Sequence, residues 1–304
     1  MPNTYNELIS QEIAESYCLQ RAKLTKALQT PGSRELDILY RMVAREMAKT
    51  EPPLLIPYVE ITISPQCTLH CCDCANLMPL YKKAMPMNTE DCIAWTTKFI
   101  EAVDHILTFR VMGGEPFMQK GLPDFLAFLL QQPKIQHIQV VSNGTLPVPE
   151  KCIPLLKTQK TSLWISNYGE AVPGYTSVLK QATSLGIRVQ TTKDVMRWQD
   201  MGGFDVRTKD AEVLRAVYRH CAMNCRHIWN GEFHVCPRSA HGKALGLIPV
   251  AETDYVPLME IPVEERRIRI RTLYDIPFIT ACAYCNATGD RQQIPCARQP
   301  SKKF

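Results

Sequence analysis

The chain has 304 residues, 45% of them hydrophobic and 21% charged, and its 35 basic against 30 acidic residues leave a formal charge of +5. Such a chain is long enough to bury a sizeable core, has the composition of an ordinary globular protein, and is too mildly basic to read as a nucleic-acid binder. No apolar run reaches the about 18 residues of a membrane span, and Met1-Pro2-Asn3-Thr4 opens no charged-then-apolar signal segment, so a cytoplasmic location with no membrane partner is expected.

Between residues 4 and 50 apolar positions recur at helical spacing, among them Leu24, Leu28, Leu36, Leu39, Met42 and Val43. Pro31-Gly32-Ser33 divides this stretch into two helices and Pro52-Pro53 ends the second, which makes 1–55 a helical N-terminal extension. Tyr58 to Ser64 reads as a strand, followed by a cysteine-rich loop and a helix over 89–104. A second strand, 106–112, runs into Gly113-Gly114; a helix near 122–131 leads to a strand over 135–142, and further strands are expected at 162–166 and 187–191. Strands separated by helices predict an α/β fold of parallel βαβ units, either doubly wound or a barrel, with the functional residues in loops at the C-terminal strand ends. The rhythm breaks near residue 205, so 56–205 is read as the core and 206–304 as a separate C-terminal region. Within the latter a helix is expected at 263–273, where Arg266, Arg267, Arg269 and Arg271 with Glu264 and Glu265 read as a solvated charged face.

Thirteen cysteines are many for such a chain, and several stand two or three residues apart, too close for ordinary long-range disulfides. In a reducing compartment groups of this kind are better read as thiolate ligands. Cys67, Cys71 and Cys74 make a Cys-x3-Cys-x2-Cys set directly after the first strand. Three thiolates on a cubic four-iron cluster leave one iron open, as a catalytic metal centre requires. A zinc site or unligated buried thiols are the bland alternatives.

The spacing of Cys67, Cys71 and Cys74, together with Gly113-Gly114-Glu115-Pro116 one βαβ unit later, resembles the signature of the radical S-adenosylmethionine superfamily. The resemblance implies a partial (β/α)6 barrel and a [4Fe-4S] cluster on the three cysteines. It also implies that Gly113, Gly114, Glu115 and Pro116 receive the amino group of S-adenosylmethionine, the glycines letting backbone approach the ligand and the carbonyl or carboxylate oxygens accepting from the ammonium. Ser142, Asn143 and Ser166, at the ends of later strands, resemble the positions that contact its ribose and carboxylate. Two departures stand out: Asp73 occupies the place before the third cysteine where the family often has an aromatic residue, and Cys72 is an extra thiol, read as a non-ligand.

Farther on, Cys221, Cys225, a Gly231-x4-Cys236 segment and Cys282-x2-Cys285 resemble the auxiliary-cluster extension called SPASM, or its shorter form, twitch. The resemblance implies a second [4Fe-4S] cluster on Cys221, Cys236, Cys282 and Cys285; nine residues separate Cys221 from Gly231, the spacing the family prefers, against five for Cys225. A four-cysteine zinc knuckle has the same ligand chemistry and stays open. Cys225 and Cys296 are candidate hydrogen-atom donors, with small buried packing residues as the alternative. Cys18, Cys92 and Cys152 read as packing residues, and His220, His227, His234 and His241 as structural ones. Trp164, Tyr168 and Trp198 are candidates for substrate contact.

The family chemistry is reductive cleavage of S-adenosylmethionine to a 5′-deoxyadenosyl radical, which takes a hydrogen atom from an unactivated carbon, the electron coming from an external reductant of flavodoxin or ferredoxin type. The compact length and single auxiliary cluster resemble those of family dehydrogenases and epimerases, which implies a carbohydrate-type small molecule, an amino sugar or aminocyclitol, undergoing oxidation or epimerisation. Modification of a ribosomally made peptide is the alternative, and a non-catalytic cluster scaffold a third.

Overall fold

The computed structural model describes residues 53–221, 225–286 and 292–300. The two expected N-terminal helices and Cys18 fall outside them. The main sheet begins with β1 (Leu55–Thr62), whose neighbours in chain order are α1 (Thr89–Ala102), β2 (His105–Met112), α2 (Leu122–Leu130), β3 (Ile135–Ser142), α3 (Ile153–Leu156), β4 (Thr161–Ile165), α4 (Tyr175–Ser184) and β5 (Val189–Gln190). Strands β1 to β5 pair in parallel and in order, each with its sequential neighbour. This is the expected βαβ succession.

Helix α1 illustrates how locally it is specified. Asn88 accepts from the backbone N–H of Glu90 at 3.1 Å and Asp91 at 3.2 Å, which caps the helix, and those two acids sit favourably in its first turn. Cys92, Thr96, Phe99 and Ile100 then fall on one buried stripe against the sheet. Phe99, fully buried, packs at a tilt against Phe233 with ring centroids 4.8 Å apart; burying such a ring contributes roughly 1.5–3 kcal/mol. Cys92 and Cys152 are buried in this outer core, as packing residues.

After β5 the chain changes character. Strand β6 (Arg197–Gln199) leaves the main sheet and pairs antiparallel with β10 (Gln293–Pro295). Helix α5 (Ala211–Arg219) precedes a hairpin of β7 (His227–Trp229) and β8 (Glu232–His234), then α6 (Pro237–Ala244), β9 (Tyr255–Pro257) and α7 (Val263–Asp275). The order of the main sheet is β5-β4-β3-β2-β1-β7-β8-β9. The sixth parallel position is therefore filled beside β1 by β7, through Glu60↔His227 and Ile61↔Ile228, and the open sheet runs on across residue 205.

One expectation is overturned in α7. Arg266 is not part of a solvated face: it is 4% exposed and donates to the carbonyls of Lys98 and Ile261 and to Glu101. Arg267 pairs with Asp104 at 2.6 Å, and Arg269 donates to the carbonyls of Glu252 and Tyr255. Guanidinium forks match backbone carbonyls and carboxylates left at the ends of neighbouring elements, so these arginines clamp α7 to α1 and β9.

Candidate functional site

The loop after β1 and the turn after β2 are joined through their backbones. Gly114 N–H donates to Ser64 O at 2.9 Å and Glu115 N–H to Gln66 O at 2.8 Å. A Cβ on Gly113 would lie 2.5 Å from Ser64 O, and one on Gly114 would lie 2.2 Å from Gln66 O and 2.6 Å from the Cβ of Cys67. The glycines are thus required by the approach of one loop to the other, a reason different from the ligand approach expected of them. Glu115 also differs from expectation. Its carboxylate is fully buried and faces inward, accepting from Phe117 N–H at 3.1 Å, Ser142 Oγ at 3.0 and 3.1 Å and Asn143 N–H at 2.7 Å. Burial raises its pKa to about 7 against the pull of those donors. Glu115 braces the end of β3.

The brace sets the position of Asn143, which donates from Nδ2 to Thr68 Oγ1 at 3.0 Å and to the sulfur of Cys67 at 3.5 Å. Ser166 joins the same rim, its N–H donating to Ser142 O at 3.0 Å. Cys67, Gly113 to Pro116, Ser142, Asn143 and Ser166, scattered over a hundred residues of sequence, are therefore gathered at the C-terminal ends of β1 to β4, as the sequence placed them.

The three thiols share one field. Burial pushes Cys67 up to about 11 and Cys71 up to about 12, and each is raised further by its neighbours in the set. Burial raises Cys74 as well, while the backbone N–H groups of Met78, Asn76 and Leu77 pull it down. Leu69 N–H lies 3.4 Å from the sulfur of Cys67, and Gln299 Nε2 3.4 Å from that of Cys71. Thiols desolvated this far ionise against a metal's positive charge, and the donors aimed at sulfur are those that tune a cluster. The donor set fits an iron–sulfur cluster in its chemistry. Among the described residues no group of three or more His, Cys, Asp or Glu side chains converges closely enough to hold a single ion.

The second group lies on the C-terminal elements. Cys236 stands at the N-cap of α6 with Ser239 N–H turned to its sulfur, Cys282 and Cys285 sit on the turn after α7, and Cys221 follows α5. Burial raises Cys236 and lifts Cys282 to about 12, and both are raised further by Cys221 and Cys285. These four thiols occupy one neighbourhood. Cys225, strongly raised by burial, feels Glu60 and Arg110 of the sheet and also Cys236 and Cys221, so it stands between the sheet and the same thiol group. Cys296, buried, lies near Tyr168, whose surroundings also include Cys71 and Cys74. Tyr168 packs edge-on against Trp198 at 5.6 Å.

Two features escaped the sequence reading. The first is a cavity of about 240 Å³ lined by Cys71, Cys74, Asp200, Gly203, Phe204 and Arg238, among others. Arg238, 4% exposed, donates to the carbonyls of Gly202, Gly203 and Tyr284 and lies over Phe204, linking the neighbourhood of Cys236 to the cavity wall. The second is a polar row across the inner face of the sheet. Register places Glu60 between His227 and Arg110, Arg110 beside Gln139, and Gln139 beside Ser162. Arg110 donates to Gln139 at 2.8 Å, Gln139 to Gln190 at 2.5 Å, and His137 lies 2.9 Å from Ser162 Oγ. A signal for the row was present in Tyr58-Val59-Glu60-Ile61-Thr62. Parallel strands covered on both faces are apolar throughout, so polar residues at every second position mark a face turned to something other than helices.

No family model matches the chain. Over 111 residues, 36% of its length, it is 27% identical to molybdenum cofactor biosynthesis protein 1 of Drosophila melanogaster, covering 19% of that protein. Over 90 residues, 29% of its length, it is 32% identical to molybdenum cofactor biosynthesis protein 1 of Bos taurus, covering 14% of it. The matches span less than a fifth of the length of these curated relatives. Similar solved structures include BtrN in complex with AdoMet and 2-DOIA, at 15% identity and a TM-score of 0.44 over 78% of this chain and 94% of BtrN. They also include Streptococcus suis SuiB bound to precursor peptide SuiA, at 16% identity and a TM-score of 0.36 over 46% of this chain and 32% of SuiB. Likenesses this slight carry no part of the assignment. It rests on a loop of three thiols bonded through its backbone to the Gly-Gly-Glu-Pro turn, at the C-terminal ends of adjacent parallel strands. That combination resembles the signature of the radical S-adenosylmethionine superfamily of enzymes.

Proposed function

We propose that this enzyme takes a hydrogen atom from an unactivated carbon of a carbohydrate-type small molecule, an amino sugar or aminocyclitol, leading to its oxidation or epimerisation. Cys67, Cys71 and Cys74 hold the catalytic cluster, and Cys221, Cys236, Cys282 and Cys285 hold a second one. When bound, the first cluster and S-adenosylmethionine supply a 5′-deoxyadenosyl radical, given one electron by an external flavodoxin- or ferredoxin-type donor. The protein's part is to place and shield. The carbonyls of the Gly113-Gly114 turn receive the cofactor's ammonium, while Asn143 and Ser166 offer polar groups to its ribose and carboxylate.

The observation that carries the substrate class is the cavity between the first cysteine loop and the Asp200–Phe204 segment. At about 240 Å³ it falls below the about 300–1,000 Å³ of ordinary ligand clefts, which favours a small substrate. Asp200 and Arg238 at its wall offer the charged and hydrogen-bonding groups that hydroxyls and amines require. Cys236 lies two residues from Arg238, and both it and Cys285 act electrostatically on that guanidinium, which brings the second thiol group near the same wall.

The test has two parts. Iron and sulfide are measured after anaerobic reconstitution of the wild type and of a Cys67→Ala, Cys71→Ala, Cys74→Ala variant. About eight irons falling to about four supports two cubic clusters, and four falling to none removes the second. The wild type is then reduced with dithionite beside S-adenosylmethionine and a panel of aminocyclitols and amino sugars. Stimulated 5′-deoxyadenosine formation with a product two mass units lighter supports oxidation, and a stereoisomer of unchanged mass supports epimerisation. No stimulation by any of them, with stimulation by a precursor peptide, would transfer the assignment to peptide modification.

A further inference from the structure

Three histidines stand near the second cysteine group, and two of them belong to a chain of hydrogen bonds that the chemistry above does not use. Tyr58 Oη lies 2.5 Å from Glu60 Oε2, and His227 Nδ1 lies 2.9 Å from Glu60 Oε1. His227 Nε2 faces His241 Nε2 at 3.1 Å, and His241 Nδ1 faces Tyr81 Oη at 2.8 Å. Thr62 Oγ1 sits between the rings, 3.1 Å from His227 Nε2 and 3.3 Å from His241 Nε2. Glu60, Thr62, His227 and His241 are each 2% exposed or less, whereas Tyr81 is only half-buried.

Donor and acceptor rules give this chain a direction that conducts towards Glu60. Burial raises Glu60, but its bonds to His227, the charge of Arg110 and the Tyr58 hydroxyl more than offset that, so the group is an ionised, accept-only carboxylate. His227 therefore carries a proton on Nδ1, and the tautomer with a bare Nε2 is the one that orders the rest of the chain. His241, facing that lone pair, must donate from Nε2, which leaves its own Nδ1 to accept from the Tyr81 hydroxyl. Burial holds His241 far below its usual value, so the ring is neutral as the pattern requires. Thr62 can accept from one ring and donate to the other, a second path across the same gap.

We propose that Tyr81, His241, Thr62, His227 and Glu60 form a proton relay that leads from the edge of the cavity to a buried carboxylate. Pro79 and Leu80, immediately before Tyr81, line that cavity. A proton given to the Tyr81 oxygen displaces the phenolic proton to His241 Nδ1. His241 then passes its Nε2 proton to His227, directly or through Thr62, and His227 passes its Nδ1 proton to Glu60. Oxidising a secondary alcohol carbon to a carbonyl removes a hydrogen atom from carbon, a proton from oxygen and an electron. The hydrogen atom goes to the 5′-deoxyadenosyl radical, the electron to a one-electron acceptor of iron–sulfur type, and the proton to the relay. The source of the proton rests on the function proposed above; the conducting chain itself does not.

Conduction is measurable without substrate. In the reconstituted full-length protein labelled with 15N-histidine, two-bond correlation spectra should place a proton on Nδ1 of His227 and on Nε2 of His241. After transfer into D2O these ring protons should exchange at least about tenfold faster than the backbone amides of Val59 and Ile61, which report local opening of β1. Tyr81→Phe should slow ring exchange by about tenfold or more while leaving those amides unchanged, and Thr62→Val, which keeps the side-chain volume, should slow it several-fold. Reversed tautomers, ring protons exchanging in step with the amides, or ring exchange indifferent to both substitutions would each make the chain a static tie between β1, β7 and α6. Any of those outcomes leaves the substrate assignment standing, because no turnover enters the measurement.

Discussion

Arg298 closes an ion pair of 3.0 Å on Asp73, 225 residues earlier in the chain. Around it, Cys72 N–H donates to Arg298 O at 2.8 Å and His70 N–H to Gln299 Oε1 at 2.7 Å, while Gln299 Nε2 reaches the sulfur of Cys71. The segment after β10 thus lies as a strap over the three-cysteine loop. Asp73, where the family often carries an aromatic side chain, is in this chain the anchor of that strap.

The strap predicts a separation between global stability and cluster retention. The Arg298 side chain is 58% exposed, so the ion pair contributes at most about 1 kcal/mol and Arg298→Ala should barely move Tm. Deleting residues 298–304 removes the acceptors for Cys72 N–H and His70 N–H as well. The truncated protein should lose iron in air several-fold faster than the full chain, read by the decay of cluster absorbance. Equal decay rates would show that the loop holds its shape unaided.

Gly114→Ala tests the closure of the two loops. The added methyl meets backbone at 2.2 Å and the Cβ of Cys67 at 2.6 Å, so one loop must retreat. We expect a folded protein whose binding of S-adenosylmethionine is weakened about tenfold or more, measured by equilibrium dialysis. Unchanged binding would mean that the turn does not set the cofactor's position.

Glu60 and His227 form a buried pair between β1 and β7. Removing one partner strands the other, so Glu60→Leu should cost about 1–3 kcal/mol in urea unfolding, whereas the Glu60→Leu, His227→Phe double variant should cost less than the two single changes summed. Strict additivity would deny the coupling.

Stability should fall on the acid side. Burial lowers His137 to about 4 and also lowers His234 and His241. A histidine depressed in the folded state binds its proton more readily when unfolded, so its contribution is complete above pH 6.5 and is lost as pH falls towards 4. For His137 that loss amounts to about 3 kcal/mol. Glu115, raised to about 7, acts oppositely, favouring the fold as pH falls from 7 to 4.5. With three rings against one carboxyl, chemical denaturation at pH 7 and pH 4.5 should show the protein less stable at the lower pH. Greater stability at pH 4.5 would mean that these rings are protonated in the fold.

Much of this molecule could be read along the chain because much of it is local. The alternation of strands and helices from 58 to 190 follows from side-chain periodicity, and α1 carries its cap, its stripe and its end within its own residues. The three-cysteine loop and the Gly-Gly-Glu-Pro turn are contiguous motifs, so both, and the resemblance they carry, were legible before any fold was known. The purpose of particular atoms was not. Glu115 turns inward because Ser142 and Asn143, 27 and 28 residues later, arrive to donate to it, and Arg266 is buried because α1 and Ile261 present it with carbonyls.

What the sequence determined by itself is the chemistry at hand: thiols at cluster spacing, a glycine turn to meet them, and an α/β scaffold to hold both. What only the tertiary structure decided is which residues face one another across long stretches of chain. Strand β7 comes to lie beside β1, α6 brings His241 to Thr62, and the strap reaches Asp73. The reason is physical: a periodic pattern states which face of an element is buried, but the partner on that face is chosen by packing and by the satisfaction of buried polar groups over the whole molecule.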